Sequence, residues 1–224
     1  MDYLCAEKLV KEYERRGKTF RAVDDVDIQI REGEFIIITG ESGSGKTTLL
    51  NLLLGLTKPA SGSVRFEGED INSFDDRRLS EIRNEKIKYI PQGDSLLSSL
   101  TVRENILFPF VIGGKEKPSD ERLYELSDRL GITDLLDEYP SELSGGEMRR
   151  ATIARAIINK PAVIIADEPT GNLDRDNTSK VMAIFKDISG EGTAVVVVTH
   201  QRETLGYASK IFGMAHGKLT PENK

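Results

Sequence analysis

The residues with the clearest chemistry are Gly40-Glu41-Ser42-Gly43-Ser44-Gly45-Lys46-Thr47, which fit the phosphate-loop pattern of two separated glycines followed by Gly-Lys-Thr. They follow the apolar run FIIIT and precede TLLNLLLGL, so they fall between a strand and a helix, where such a loop works. Glycines let the backbone curl until successive N–H groups and the positive helix end point at phosphate oxygens. Lys46 adds a point charge to the β- and γ-phosphate oxygens, and the Thr47 hydroxyl can ligate Mg²⁺. The expected ligand is a nucleoside triphosphate with Mg²⁺.

A second apolar run, AVIIA, ends in Asp167-Glu168 and delivers two carboxylates to a strand end. In open α/β sheets ligands bind at the carboxyl edge. Asp167 would hold Mg²⁺ and Glu168 would orient and deprotonate an attacking water, a general-base role that typically contributes about 10²–10⁴-fold. Two further strand ends carry single polar residues, Gln92 after YIP and His200 after VVVVT. On the same edge, Gln92 reaches Mg²⁺ or the water and His200 the γ-phosphate. Tyr13 is expected to stack on the base. His216, in MAHGKL, reads as a hairpin turn without a role, and the glycosylation-like Asn177-Thr-Ser as noise.

Ser144-Gly145-Gly146-Glu147 poses a separate question. Ser144 as N-cap and Glu147 three residues on form a capping box, and Met148, Ala151, Ala154 and Ile158 give the following helix an apolar stripe. That explains Ser and Glu but not why two glycines strip the first turn of side chains. Bare N–H groups there would admit a phosphate to the positive helix end. With one phosphate loop per chain, the natural user is the nucleotide held by another copy.

The elements that must position these residues are legible from periodicity. EFIIITG, KIKYIPQ, AVIIADE and TAVVVVTH are continuous apolar runs, the pattern of parallel strands buried on both faces. YLCAEKLVKEY, FRAVDDVDIQI and SGSVRFEGEDI alternate polar and apolar, which predicts an antiparallel layer. Between about residues 93 and 158 the pattern turns helical, with a capping box at Thr101 and Glu104 and loops at PFVIGGKEKPSD and EYPSELSGG. The expected organisation is one α/β domain over 1–224, with a core and β-subdomain in 1–92 and 159–224 and a helical subdomain in 93–158. A chain of 224 residues with 38% hydrophobic content can bury such a core. No apolar run is long enough to span a bilayer, and MDYLCAEK lacks the features of a signal peptide, so a cytoplasmic location is expected. Cys5 is alone, which excludes an internal disulfide. The net charge of -6 argues against nucleic acid and anionic lipid as direct partners.

Taken together these motifs resemble the ATP-binding subunit of an ABC transporter: GESGSGKT as Walker A, YIPQ with the Q-loop, LSGGE as the signature, VIIADE as Walker B, GNLD as the D-loop and VTH with the switch histidine. The resemblance covers essentially the whole chain, in the family's order. It implies a P-loop NTPase (RecA-like) core with an antiparallel β-subdomain and an inserted α-helical subdomain. It also implies ATP and Mg²⁺ as ligands, and two copies closing head to tail. Ser144, Gly145 and Gly146 of one copy, with Glu147 beside them, would then face the γ-phosphate bound at Gly43 to Thr48 of the other, and Asp174 would lie across the interface. Closure would drive a separate integral membrane subunit through the segment near Gln92 to Ile112, placing the chain on the inner face of the membrane.

Within the family, EPTGNLD, LLSSLTVRENI and LLNLLLGLTKPASGSVRFEGEDI look most like the branch of lipoprotein-releasing ATPases, macrolide exporters and antimicrobial-peptide resistance pumps. Two positions depart from the pattern: Glu147 stands where the family usually has Gln, and Ser98 where that branch often has Pro. Glu147 keeps the capping box but puts negative charge near a partner's ATP. Two other readings remain open from sequence: a regulatory ABC ATPase that signals through a membrane partner without moving cargo, as in cell division, and a soluble one acting on DNA or ribosomes. LSGGE discriminates against a small-molecule kinase.

Overall fold

A computed structural model describes residues 1–15, 17–93 and 95–222. The last positions of the expected domain, 223 and 224, lie outside the described residues. Two sheets organise the chain. The smaller joins β1 (Asp2–Arg15), β2 (Lys18–Arg31), β4 (Ser61–Phe66) and β5 (Glu69–Asp70) in the order β2-β1-β4-β5, all antiparallel. The larger contains β3 (Phe35–Thr39), β6 (Ile87–Ile90), β7 (Val163–Asp167), β8 (Ala194–Val198), β9 (Lys210–Ala215) and β10 (Lys218–Glu222) in the order β10-β9-β3-β8-β7-β6. Its strands are parallel except β10, which closes a hairpin with β9 through His216 and Gly217, both at positive φ.

The continuous apolar runs have a direct cause. Ile36 and Ile38 of β3, Ile165 of β7 and Val196 of β8 pack toward the antiparallel sheet and α1 (Lys46–Leu53). Their neighbours Phe35, Ile37, Ile164 and Val197 pack on the opposite face against α5 (Gly145–Ile157) and α6 (Arg175–Gly190). A strand covered on both faces has no solvent side on which to place polar residues.

Between β5 and β7 stand α2 (Asp76–Glu85), α3 (Val102–Gly113), α4 (Asp120–Leu130) and α5. The capping box at Thr101 opens α3, with Thr101 Oγ1 accepting from Glu104 N at 3.2 Å and Glu104 Oε2 accepting from Thr101 N at 2.8 Å. Beyond it the structure departs from the expected loop at Pro109: α3 runs through this residue to Gly113 and stops at Gly114 in the left-handed region. Burial of Pro109 and a bond from Asn84 Nδ2 to its carbonyl at 3.0 Å hold the turn in place. In α5 the buried face is broader than a stripe, taking in Thr152, Ile153, Ala156 and Ile157, while Met148 is only half-buried.

Candidate functional site

Parallel register aligns the ends of the central strands. Ile38 of β3 and Asp167 of β7 both pair with Val198 of β8, and Ile90 of β6 pairs with Ala166. The segments that follow, Gly40 to Gly45, Pro91-Gln92, Glu168 and Thr199-His200, therefore leave one edge of the sheet together.

At that edge α1 starts differently from the other α-helices. Asp75, Thr101, Ser119, Ser144 and Asp174 cap α2 to α6 with side-chain oxygens, whereas α1 begins at Gly45 (φ 110°) with no side-chain cap and no acidic residue in its first turn. Its N–H groups are left for an anion. The Lys46 ammonium folds back onto the carbonyls of Gly40 and Glu41 at 2.7 and 2.8 Å, so it is held over the loop. Ser44 Oγ is buried without a partner.

Thr47 Oγ1 donates to Asp167 Oδ2 at 3.1 Å. Burial pushes the Asp167 carboxyl above its usual range, and the bond from Thr47 pulls it partway back. A hydroxyl beside a carboxylate is the hard oxygen pair that suits Mg²⁺. No group of three or more His, Cys, Asp or Glu able to hold a metal occurs among the described residues.

Glu168 sits at φ 47°, a region that side chains other than glycine rarely enter. Its Oε1 lies 3.0 Å from His200 Nδ1, and its Oε2 is buried with no partner. The two side chains differ in access: that of Glu168 is 11% exposed and that of His200 68%. Five other non-glycine residues share this positive φ, but at Glu168 it coincides with an unsatisfied buried oxygen and an adjoining imidazole, a combination that marks a functional position.

Tyr13, Gly40, Ser42, Gly43, Gly45, Lys46, Thr47, Thr48, Gln92, Asp167, Glu168 and His200 line one pocket of about 640 Å³. Ser44 lines an adjoining cavity that shares Gly40, Ser42, Gly43 and His200 with this pocket. Phe20 and Ala22 complete the pocket and were not singled out from sequence. Phe20 pairs across the hairpin with Tyr13, their rings 6.0 Å apart, and the signal for it is the β1–β2 register.

A further set not singled out from sequence ties the turn after Glu168 to the loop of His200. Thr170 Oγ1 donates to Gln201 Oε1 at 2.6 Å and Gln201 Nε2 to the Thr170 carbonyl at 3.3 Å. Thr199 and Thr204, both fully buried, hold the Gln201 backbone at 3.0 and 2.7 Å. Thr170 and Thr199 fall inside the runs EPTGNLD and VTH, but no motif marks Gln201 or Thr204.

Ser144, Gly145, Gly146, Glu147 and Asp174 do not reach this pocket. They gather at the N-termini of α5 and α6. Glu147 Oε2 accepts from Ser144 N at 2.8 Å and Ser144 Oγ at 2.7 Å, which holds the Glu147 carboxyl below its usual range. Asp174 accepts from Asn177 N and Nδ2 at 2.7 and 2.9 Å, which lowers its carboxyl likewise. Asn177 Oδ1 accepts from Arg150 at 3.3 Å.

The family model for ABC transporters matches residues 23–171. The chain is 41% identical over 204 residues to the lipoprotein-releasing system ATP-binding protein LolD of Aquifex aeolicus, covering 91% of each. It is 37% identical over 212 residues to YknY of Bacillus subtilis, an uncharacterized ABC transporter ATP-binding protein, covering 94% of this chain and 92% of the relative. Among solved structures it is similar to the dimeric ABC transporter cassette MJ0796, with a TM-score of 0.89, 34% identity and 98% coverage of both chains. The same cassette is known in a post-hydrolysis dimer bound to ADP and Pi, TM-score 0.89 at 33% identity and the same coverage.

Proposed function

The chain belongs to the ABC transporter family, and from that premise we propose that it is the ATP-hydrolysing subunit that powers a separate membrane subunit, for export or extraction of a lipoprotein, peptide or drug. The observation that carries the reading is the single sheet edge on which the uncapped start of α1, the Thr47–Asp167 pair and the Glu168–His200 pair converge. Similarity to LolD over nine-tenths of both chains supports the branch and the cargo class.

In this reading Tyr13 and Phe20 take the adenine. The N–H groups of Gly43 to Thr48 and Lys46 bind the β- and γ-phosphates, with Gly40 and Ser42 shaping the loop and Ser44 Oγ supplying a polar contact. Mg²⁺, when bound, would supply charge neutralisation at the phosphates. Thr47, Asp167 and Gln92 would hold it. Glu168 positions a water with its unpartnered Oε2 and takes the water's proton. His200 holds Glu168 from the other side and donates to the γ-phosphate. Ser144, Gly145, Gly146 and Glu147 of the partner subunit close over that phosphate, with Asp174 at the interface. The dimeric state of MJ0796 supports this pairing.

No helix among the described residues is long and apolar enough to cross a membrane, so in this reading contact with the bilayer passes through the permease subunit, on the inner face of the cell membrane. The test is to tag Glu168→Gln, solubilise host membranes gently with Mg-ATP present, and identify by mass spectrometry what co-purifies. The expected result is a stoichiometric polytopic membrane protein. Recovery with ribosomes or DNA-repair proteins and no membrane subunit would overturn the transport reading.

A further inference from the structure

Positive charge also concentrates away from the phosphate loop, where β6 meets α2, α3 and α5. Arg83, Lys88 and Arg155 line one pocket of about 230 Å³ together with Tyr89, Pro109 and Thr152, and no carboxylate among the described residues lines it. Lys88 is 7% exposed. Its ammonium donates to the Asn84 carbonyl and to Asn84 Oδ1, which leaves one of its N–H groups without an acceptor among the described residues. Arg155 donates to the carbonyl and Oγ of Ser95, each at 2.8 Å, and Arg83 to the Leu54 carbonyl and Ser80 Oγ.

All of these acceptors are neutral. Among the described residues none of the three cations belongs to an ion pair, and Glu85, the carboxylate that favours a charged Lys88, is engaged with Lys115 at 2.7 Å. Burial, and then the Arg155 charge, lowers Lys88 to about 8, and burial lowers Arg155 as well. Like charges withdrawn from water without a counter-ion are costly, and an apolar side chain at position 88 would fill the same space without that cost. A cation retained there, facing an open pocket, makes sense when an anion enters.

We propose that Arg83, Lys88 and Arg155 form a site for a single oxyanion group, a carboxylate or a phosphate, separate from the nucleotide pocket. The cavity is large enough for one such group and its water but not for a nucleotide. A charge-assisted bond to each cation would satisfy the open donors. Arg155 also holds Ser95, three residues beyond Gln92, so the anion would sit one side chain away from the segment that borders the nucleotide.

The experiment titrates inorganic phosphate, and separately acetate, at constant ionic strength into the Lys46→Ala protein, whose phosphate loop is weakened, with calorimetry and thermal melting as readouts. Phosphate is expected to bind saturably and raise Tm. Adding Lys88→Met should weaken that binding at least tenfold, and this variant should melt no lower than its parent in chloride but below it in saturating phosphate. Arg83→Met, at a less buried position, provides a second variant with the same expected loss of binding. An equal response to acetate assigns a carboxylate ligand, and a response to phosphate alone assigns a phosphate-bearing one. Phosphate binding unchanged by both substitutions, or no saturable effect of either anion, overturns the site.

Discussion

A Cβ placed on Gly45 would lie 2.1 Å from the Ala22 carbonyl oxygen, whereas one on Gly145 would meet nothing nearer than Leu173 Cδ2 at 3.8 Å. Gly45 also holds φ 110°, while Gly145 opens α5 without a positive φ. Gly40 and Gly45 of the phosphate loop are thus glycine because their own chain packs against them, whereas Gly43 meets nothing nearby and is distinguished by its φ of 81°. Gly146 belongs with Gly40 and Gly45 in this respect, since a Cβ there would fall 2.5 Å from Asn177 Oδ1. Gly145 has no such reason within the chain. A bare, exposed helix position that the fold does not require points to contact with something outside the chain, and in the proposed dimer that is the partner's nucleotide.

The contrast predicts different failures in the two regions. The largest effect belongs to the hydrolytic edge: Glu168→Gln removes the proposed base while preserving shape, so ATP turnover should fall by about 10²–10⁴ with nucleotide affinity intact. Turnover at the wild-type rate, measured by phosphate release, would remove Glu168 from the mechanism. Next comes Gly45→Ala, which forces a positive φ on alanine and a clash with backbone. It should lower stability by about 2–4 kcal/mol and abolish nucleotide binding by the single chain. A normal melting curve with normal ATP affinity would show that the loop tolerates a side chain and would dissolve the comparison.

Strand ends were readable because burial on both faces leaves a signature that no surface strand shares, and polar residues at the ends of such runs must emerge on one edge. That logic brings Gln92, Asp167, Glu168 and His200 to the pocket with the phosphate loop. Other features were not readable. Continuation of α3 through Pro109 depends on Asn84, 25 positions earlier, which no local propensity records. Lys88 alternates with apolar neighbours as a solvent-facing lysine would, and its burial follows from the packing of α2, α3 and α5 around β6. The Thr170–Gln201 pair joins residues 31 positions apart with side chains that occur in any polar loop.

Gly145→Ala sharpens the comparison from the other side. Alanine is better than glycine in helices by up to about 1 kcal/mol, so the melting temperature should stay the same or rise. ATP binding to the single chain should be unchanged, because the residue does not line its pocket. Steady-state hydrolysis should nevertheless fall about tenfold, with ATP-dependent pairing weakened in the Glu168→Gln background. Undiminished hydrolysis with a methyl group at this position would mean that the exposed turn meets nothing during turnover.

The smallest effect is expected where the hydrolytic edge is braced rather than built. Gln201 clamps the turn that carries Glu168 to the loop that carries His200, and neither of its side-chain bonds touches the pocket. Each such bond contributes about 1 kcal/mol, and 1.4 kcal/mol is tenfold in rate. Gln201→Ala should therefore reduce kcat about three- to tenfold while KM for ATP stays near wild type, because the phosphate loop that binds the nucleotide lies outside this clamp. Gln201→Glu keeps the acceptor for Thr170 Oγ1 and loses only the longer bond to the carbonyl, so it should recover part of kcat. A fall in melting temperature with kcat unchanged would reduce the clamp to a structural tie, and the precision of the Glu168–His200 pair would have to come from the strand ends alone.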